Sequence, residues 1–318
     1  MLVTRLRWLG DVVMSTPILE ALRAALPAAS IEYLTYTSFA PALLRHPAVD
    51  RIHTVTPKPG LRETAAKLRE LRRAKFDWCF DTLGNPRSAI LVALSGARRT
   101  AAPDRGPRSR LYDHRIRHES DERSAVRHQL DVLKPLLGRV EERQPSLHVE
   151  PWEIEGSYAG QGLDPEEPLV LVHPGATWPE RAWPIERWAP LIDKIGELHP
   201  HATVRVITQP GWEAAARQVE GEAADDARAL PALDLRTLIA LLAGADLYVG
   251  NDSGILHCAV ALRTPTVGIF GPTEDDVWFP YERWGPYRVV RRETSGRTDA
   301  RVEEVAVAVA EVMKSKGI

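Results

Sequence analysis

Leu247-Tyr248-Val249-Gly250-Asn251-Asp252-Ser253-Gly254-Ile255-Leu256-His257 joins a strand, a turn and the start of a helix in one short run. The β-branched and aromatic residues end at Val249, and small or polar residues make the turn. Asp252 or Ser253 can then cap a helix. A strand that passes directly into a helix is the building block of a parallel sheet covered by helices. In such a turn, free backbone N–H groups and the positive helix end form a site for an anion such as a diphosphate. Gly250 and Gly254 would clear side chains from the path of the phosphates. His257, one helical turn on, would face the same side. The same residues also fit a plainly capped helix with Asp252 satisfied locally, and both readings stand.

The pattern repeats on either side of this run. In the second half, Leu169–Val172, Thr203–Thr208 and Thr266–Phe270 read as strands. Helices are predicted over Ile185–Leu198, Trp212–Glu222 and Leu235–Ala243, and over a tail from Arg301 to Lys316 with a stripe at Val302, Val305, Val309 and Val312. In the first half, Leu2–Leu6, Ile31–Leu34 and Asp77–Asp81 read as strands. Val12, Leu19, Leu22 and Leu26 mark a helix over Val12–Leu26, with Pro17 near its start. A second helix, Arg62–Ala74, is basic on its polar face, and 104–128 reads as arginine-rich loop with a short helix. No internal repeat is apparent. Pro151–Pro168 is rich in proline and glycine and poor in periodicity, which predicts a linker. The expected architecture is α/β, with two Rossmann-like doubly wound domains facing a central cleft. Their expected spans are 1–155 and 165–300, followed by a C-terminal helix over 301–318.

Composition agrees with two soluble domains: 318 residues, 44% hydrophobic and 26% charged. Cys79 and Cys258 sit far apart in apolar runs, so buried thiols are expected rather than a disulfide framework or zinc site. Arg5 and Arg7 interrupt the apolar start, leaving no signal-peptide core. No window is long and apolar enough for a transmembrane helix, so a cytoplasmic protein is expected. The net charge of −2 hides an asymmetry. Residues 1–150 carry 25 Lys and Arg against 17 Asp and Glu, and the remainder carries 16 against 26. A basic first half points to an anionic partner or to an ordinary solvated surface.

Two further segments follow predicted strands. Val172-His173-Pro174-Gly175-Ala176-Thr177-Trp178-Pro179-Glu180-Arg181-Ala182-Trp183-Pro184 offers the Thr177 hydroxyl and the Arg181 guanidinium, a fork suited to phosphate oxygens. Trp178 and Trp183 can cover a base or sugar, or simply pack. Arg5-Leu6-Arg7-Trp8-Leu9-Gly10-Asp11 turns the first strand into the first helix, with Gly10 allowing a tight turn. Asp11 there can cap the helix or act as general base towards a hydroxyl.

Taken together, these segments resemble glycosyltransferase family 9, the bacterial heptosyltransferases of lipopolysaccharide core assembly. The resemblance rests on R-L-x-x-L-G-D-V-V-x-x-T-P from Arg5, H-P-A-V-D at His46–Asp50, and H-P-G-A-x-W from His173. It continues through G-N-D-S-G-x-x-H from Gly250 and F-G-P-T at Phe270–Thr273. It implies an inverting transferase that takes a sugar, heptose from ADP-heptose, to a hydroxyl of an anionic glycolipid such as the lipopolysaccharide inner core. The first domain would bind acceptor and the second the nucleotide-sugar donor, with no cofactor, no metal and no nucleic-acid partner.

The family's catalytic aspartate falls on Asp11 and its basic phosphate ligand on Arg181. Its donor turn falls on Asp252, Ser253, Gly254 and His257. Thr177 is assigned to the donor, as is Glu213 near the donor ribose. Arg7, Trp8, Gly10, Arg62, Arg69 and Arg73 are assigned to the acceptor side. The family's small pair before Leu-Gly-Asp is Arg7-Trp8 here, and the cysteine-bearing C-terminal segment of many relatives is replaced by Arg291–Arg301 without cysteine. Contact with the inner face of the cytoplasmic membrane is a further implication. The alternatives are another nucleotide-sugar, a non-lipid acceptor, a nucleotide-sugar epimerase and a non-catalytic binding protein.

Overall fold

A computed structural model describes residues 1–118, 123–224 and 227–315. It divides into two compact units, Met1–His148 and Val149–Ile318. Over the described residues each unit is built on one parallel sheet.

The first unit runs β1 (Leu2–Thr4), α1 (Leu9–Met14), α2 (Thr16–Ala25), β2 (Glu32–Tyr36), β3 (Arg51–Val55), α3 (Leu61–Ala74), β4 (Trp78–Asp81) and α4 (Pro86–Ala93). It continues through β5 (Arg99–Pro103), β6 (His114–Ile116), α5 (Ala125–Leu130) and α6 (Lys134–Leu137). The strand order is β3-β2-β1-β4-β5-β6, all parallel. Chain order therefore reverses between β1 and β4, the switch point at which open α/β sheets bind ligands. Leu2, Leu34, Cys79 and Ala102 are among the buried residues that pack this sheet against its helices.

The second unit runs α7 (Pro151–Gln161), β7 (Leu169–His173), α8 (Trp188–Leu198), β8 (Thr203–Val206), α9 (Glu213–Glu222), β9 (Arg228–Ala229), α10 (Leu235–Gly244), β10 (Leu247–Asn251) and α11 (Gly254–Ala261). Then come β11 (Thr266–Phe270), α12 (Asp275–Trp278), β12 (Tyr287–Arg291), the short pair β13 (Glu293–Thr294) and β14 (Arg297–Thr298), and α13 (Val302–Lys314). Its sheet order is β12-β11-β10-β7-β8-β9, again all parallel. This is the order of the first unit repeated, with the switch point between β7 and β10. The tail helix belongs to this core, with Val305, Val309 and Val312 buried. Its expected last residues, from Lys316 on, lie outside the described residues, as do 119–122 of the arginine-rich segment.

Two elements differ from their reading in the sequence. The helix expected over Val12–Leu26 is broken at Ser15, because Pro17 has no N–H to give the Val13 carbonyl. The Thr16 hydroxyl donates to that carbonyl instead at 2.8 Å, and the Ser15 hydroxyl donates to Val12 O at 2.7 Å. The linker expected over Pro151–Pro168 is largely α7. Pro151 occupies its first position and Gly162, at φ 63°, closes it in the left-handed conformation. The residues that read as breakers are end caps.

Helix α7 is fixed to α10 by Arg236, which donates through Nε and Nη2 to the two Glu153 oxygens at 2.7 and 2.6 Å. The Tyr158 hydroxyl donates to the Gly244 carbonyl at 2.5 Å. That contact leaves no room for a side chain, since a Cβ on Gly244 would lie 2.6 Å from Tyr158 Cε2 and 2.8 Å from Ile154 Cγ2. Gly244→Ala is therefore expected to lower stability by about 1–3 kcal/mol through overpacking. Chemical denaturation of the two proteins side by side measures it, and equal midpoints would show that α7 is not held as described.

Candidate active site

In the second unit the loops after β7 and β10 meet at the switch point and are tied together by Asn251, which is fully buried. Its side-chain oxygen accepts from Trp183 N–H at 3.0 Å, and its Nδ2 donates to the Pro174 carbonyl at 2.7 Å. One residue on, Asp252 pairs with Arg181 Nη1 at 2.9 Å, the carboxylate nearly buried and the guanidinium 32% exposed. Among the described residues the other donors of that fork have no acceptor. The Arg181 carbonyl accepts from the Thr298 hydroxyl at 3.1 Å. Ser253 is the N-cap of α11 and accepts from Leu256 N–H at 3.5 Å. The result is a part-exposed guanidinium beside a helix N-terminus, its position set by Asp252.

Of the other donor-side assignments, Thr177 is exposed at the loop surface and Gly254 opens α11. Glu213 accepts from Gly211 N–H at 2.9 Å at the start of α9. His257 is buried, with Nδ1 2.8 Å from the Tyr281 hydroxyl. Two expectations change. Gly250 makes room for protein and not for phosphate, because a Cβ there would fall 2.2 Å from the Tyr248 hydroxyl. Trp183 is 1% exposed and packs edge-on to Trp188, so only Trp178, 45% exposed, can cover a ligand.

In the first unit the loop after β1 carries Asp11. It is the third residue of α1, not its cap, and its Oδ2 accepts from Trp8 N–H at 3.2 Å. Its Oδ1 lies 2.5 Å from Arg5 Nη2, with both side chains nearly buried. Arg5 also donates through Nη1 to the Thr82 carbonyl and through Nε to the Arg7 carbonyl, each at 2.9 Å. The arginine thus joins the chain after β1 to the chain after β4 and presents the carboxylate between them. Arg105 is close enough for Arg5 and Asp11 to act on its charge, and burial, followed by Arg5, lowers its pKa.

Gly10 lies within α1 rather than in a turn, and is not among the residues at positive φ. The chain reverses just before it, at Arg7 and Trp8, whose peptide bond is cis. Arg7 is exposed and sits over the Trp8 ring at 5.3 Å, with Trp8 51% exposed. The basic residues of α3 do not gather with Asp11 as expected. Arg62 is near the start of α3, whereas Arg69 and Arg73 line a cavity with Arg51, the first residue of β3. Because the strands are parallel, that is the amino end of the strands, opposite the carboxyl end at which Asp11 stands.

The profile of glycosyltransferase family 9 (heptosyltransferase) matches residues 65–299, well over half of the chain. The chain belongs to this family and is a glycosyltransferase. Lipopolysaccharide heptosyltransferase 1 of Pseudomonas aeruginosa is 28% identical over 287 residues, covering 86% of this chain and 79% of the relative. Among solved structures, the ADP-heptose lipopolysaccharide heptosyltransferase II of Escherichia coli superposes with a TM-score of 0.86 at 21% identity, covering 100% of this chain and 99% of that one. The family 9 glycosyltransferase of Veillonella parvula gives 0.85 at 23% identity, with 99% and 97% covered. At these identities the likeness carries the fold, which is of GT-B type.

Beneath the donor turn lies a network that the motifs pointed at without explaining. His173 is fully buried, with Nδ1 3.1 Å from the Tyr248 hydroxyl and 3.4 Å from the Ser253 hydroxyl, and Nε2 3.0 Å from Gln209 Oε1. The sole hint in the sequence is a polar residue closing the apolar run Leu169–Val172. Burial pushes the His173 pKa down to about 4, against a modest upward pull from Gln209. The folded state therefore binds its proton less readily than the unfolded chain, whose histidine titrates near 6.5. Stability from this group is complete above about pH 6.5 and is lost as pH falls towards 4, by roughly 3 kcal/mol. His46, pushed down to about 4 by burial and by His148, acts in the same sense in the first unit. His173→Asn is expected to flatten the fall in melting temperature between about pH 7 and pH 4; an unchanged slope would place the titration elsewhere.

Proposed function

We propose that this family 9 enzyme transfers heptose from ADP-heptose to a hydroxyl of the lipopolysaccharide inner core, with inversion and without a metal ion. The observation that carries the donor half is the part-exposed Arg181 fork beside the N-terminus of α11, with Asp252 setting its position. Such an arrangement offers charge-assisted donors and backbone N–H groups to a diphosphate. The names of the relatives, lipopolysaccharide heptosyltransferases 1, 2 and 3, support the sugar and the acceptor.

Asp11 serves as general base. The acceptor hydroxyl loses its proton to the Asp11 carboxylate while its oxygen bonds to the anomeric carbon. The bond from that carbon to the diphosphate oxygen breaks, and ADP leaves. Negative charge grows on the departing diphosphate, where Arg181 and the amides at the start of α11 stabilise it. Thr177, Glu213 and His257 complete the donor side in this reading, while Arg7, Trp8 and Arg62 shape the acceptor side. Catalysis at the inner face of the cytoplasmic membrane follows from a lipid-borne acceptor.

The test couples binding to turnover. ADP is expected to raise the melting temperature of the enzyme more than UDP or GDP does, and Arg181→Met to remove most of that shift. Asp11→Asn is expected to lower transfer about 10²–10⁴-fold while keeping the ADP shift. Because Asp11 is the counter-ion of the nearly buried Arg5, the same variant should also lose up to roughly 3 kcal/mol of stability. Chelator should leave the wild-type rate unchanged. Equal turnover by Asp11→Asn, or a shift selective for another nucleotide, would remove the proposal.

A further inference from the structure

The acceptor and donor sites leave one strongly charged feature of the first unit unused. Arg51, Ala66, Arg69, Glu70, Arg73 and Ala74 surround an open cavity of about 470 Å³ between the start of β3 and the last turns of α3. Arg69 and Arg73 are one helical turn apart, a like-charge spacing that is unfavourable unless an anion lies between the two. The acid in the cavity does not supply it. Glu70 turns its oxygens to His53 Nδ1 at 2.7 Å and to Lys67 Nζ at 2.6 Å. Among the described residues the Arg51 and Arg73 side chains have no hydrogen-bond or ion-pair partner, and Arg69 has only a 3.4 Å contact to the Ala65 carbonyl. Three guanidinium groups thus share one exposed concavity although carboxylates are plentiful in the chain.

The cations also extend beyond the cavity. Arg62, Ala66, Arg69 and Arg73 follow helical spacing along one face of α3, a stripe spanning roughly 16 Å. Arg62, where the stripe meets the acceptor side, is likewise exposed and without a side-chain partner among the described residues. At the head of the stripe Leu61 is 92% exposed, the most exposed of the large apolar side chains. A single small anion would need an enclosed cluster of donors; a line of exposed arginines with an exposed leucine at one end fits a plane of headgroups.

We propose that the Arg51–Arg69–Arg73 groove and the α3 stripe dock the enzyme on an anionic phospholipid surface. The guanidinium forks take headgroup phosphates, and Leu61 enters the apolar boundary. The docking role rests on the lipid-borne acceptor proposed above; the groove lies at the amino ends of the strands, opposite Asp11, and the stripe runs from it towards the end that carries Asp11.

Co-sedimentation with vesicles tests the assignment without donor or acceptor present. Wild-type enzyme is expected to bind vesicles of phosphatidylcholine mixed with phosphatidylglycerol, more weakly as salt rises, and not vesicles of phosphatidylcholine alone. The variant R51Q/R69Q/R73Q removes only exposed side chains and should melt with the wild type. Its partition is expected to fall about 100-fold, near fivefold for each cation at the surface. R108Q/R110Q/R115Q, which removes the same charge from the rival arginine-rich loop, should lose far less. The proposal is overturned if R51Q/R69Q/R73Q sediments like the wild type, or if the rival variant loses as much. It also fails if the wild type ignores vesicles while inorganic phosphate stabilises it through these arginines, since the groove would then hold a free anion.

Discussion

Each unit depends on bonds that bridge its switch point. Where two neighbouring parallel strands send their chains to opposite faces of the sheet, a crevice opens between the departing loops, and backbone groups there have no strand partner. In the first unit Arg5 closes this gap, reaching from the end of β1 to the Thr82 carbonyl and to Asp11. In the second, Asn251 does so through the Pro174 carbonyl and Trp183 N–H, and the Arg181–Asp252 pair repeats the link above it. Remove these bonds and the loops that carry the chemistry have no fixed geometry. The residues proposed to act on substrate are therefore positioned by the same contacts that close the fold.

The two solutions differ electrostatically, and the difference matches the task proposed for each. The first unit buries a charged pair, in which the Asp11 carboxylate is held in place by Arg5, itself fixed by hydrogen bonds to the Arg7 and Thr82 carbonyls. A carboxylate so placed can receive a proton without having to find its orientation. The second unit keeps its deepest polar network neutral: burial holds His173 unprotonated, with Tyr248 and Gln209 satisfying the ring. The positive charge at the turn before α11 then comes from Arg181 and the α11 amides and not from His173. A protonated His173 would add charge, but at a depth where no ligand atom could meet it.

How much of this could be read from the chain varied with the range of the cause. Strand-to-helix passages are local, and the runs ending at Val249 and Val172 announced the sheet and the loops after β7 and β10. The positions of Asp11, Arg181 and the Asp252-Ser253 turn beyond strand ends were legible for the same reason. What escaped were contacts between residues far apart in sequence. Nothing near Trp183 says that it is core; Gly250 was misread for a different reason, since Tyr248, which fills the space beside it, stands only two residues away. Pro151 and Gly162 read as a linker because caps and breakers use the same residues; only the Arg236–Glu153 pair, 83 positions apart, shows that a helix lies between them. Arg5 looked like one more charge in a basic half because its partners lie six and 77 residues away.

The arginines of α3 show why residue type alone is a poor guide to a surface. Read along the chain, Arg62, Arg69 and Arg73 form one basic helix and invite one role. In a parallel sheet, however, the helix that follows a strand must run back along the sheet, so its two ends face opposite ends of the strands. Only the first turn of α3 stands at the carboxyl end, which carries Asp11; the last turns stand with the start of β3, where Arg51 joins them. A helix of fourteen residues therefore cannot put all its charge on one small acceptor. Either the stripe is solvated surface, or its partner is as extended as the helix itself. Three arginines gathered on one cavity whose single acid, Glu70, is engaged by His53 and Lys67 favour the extended partner.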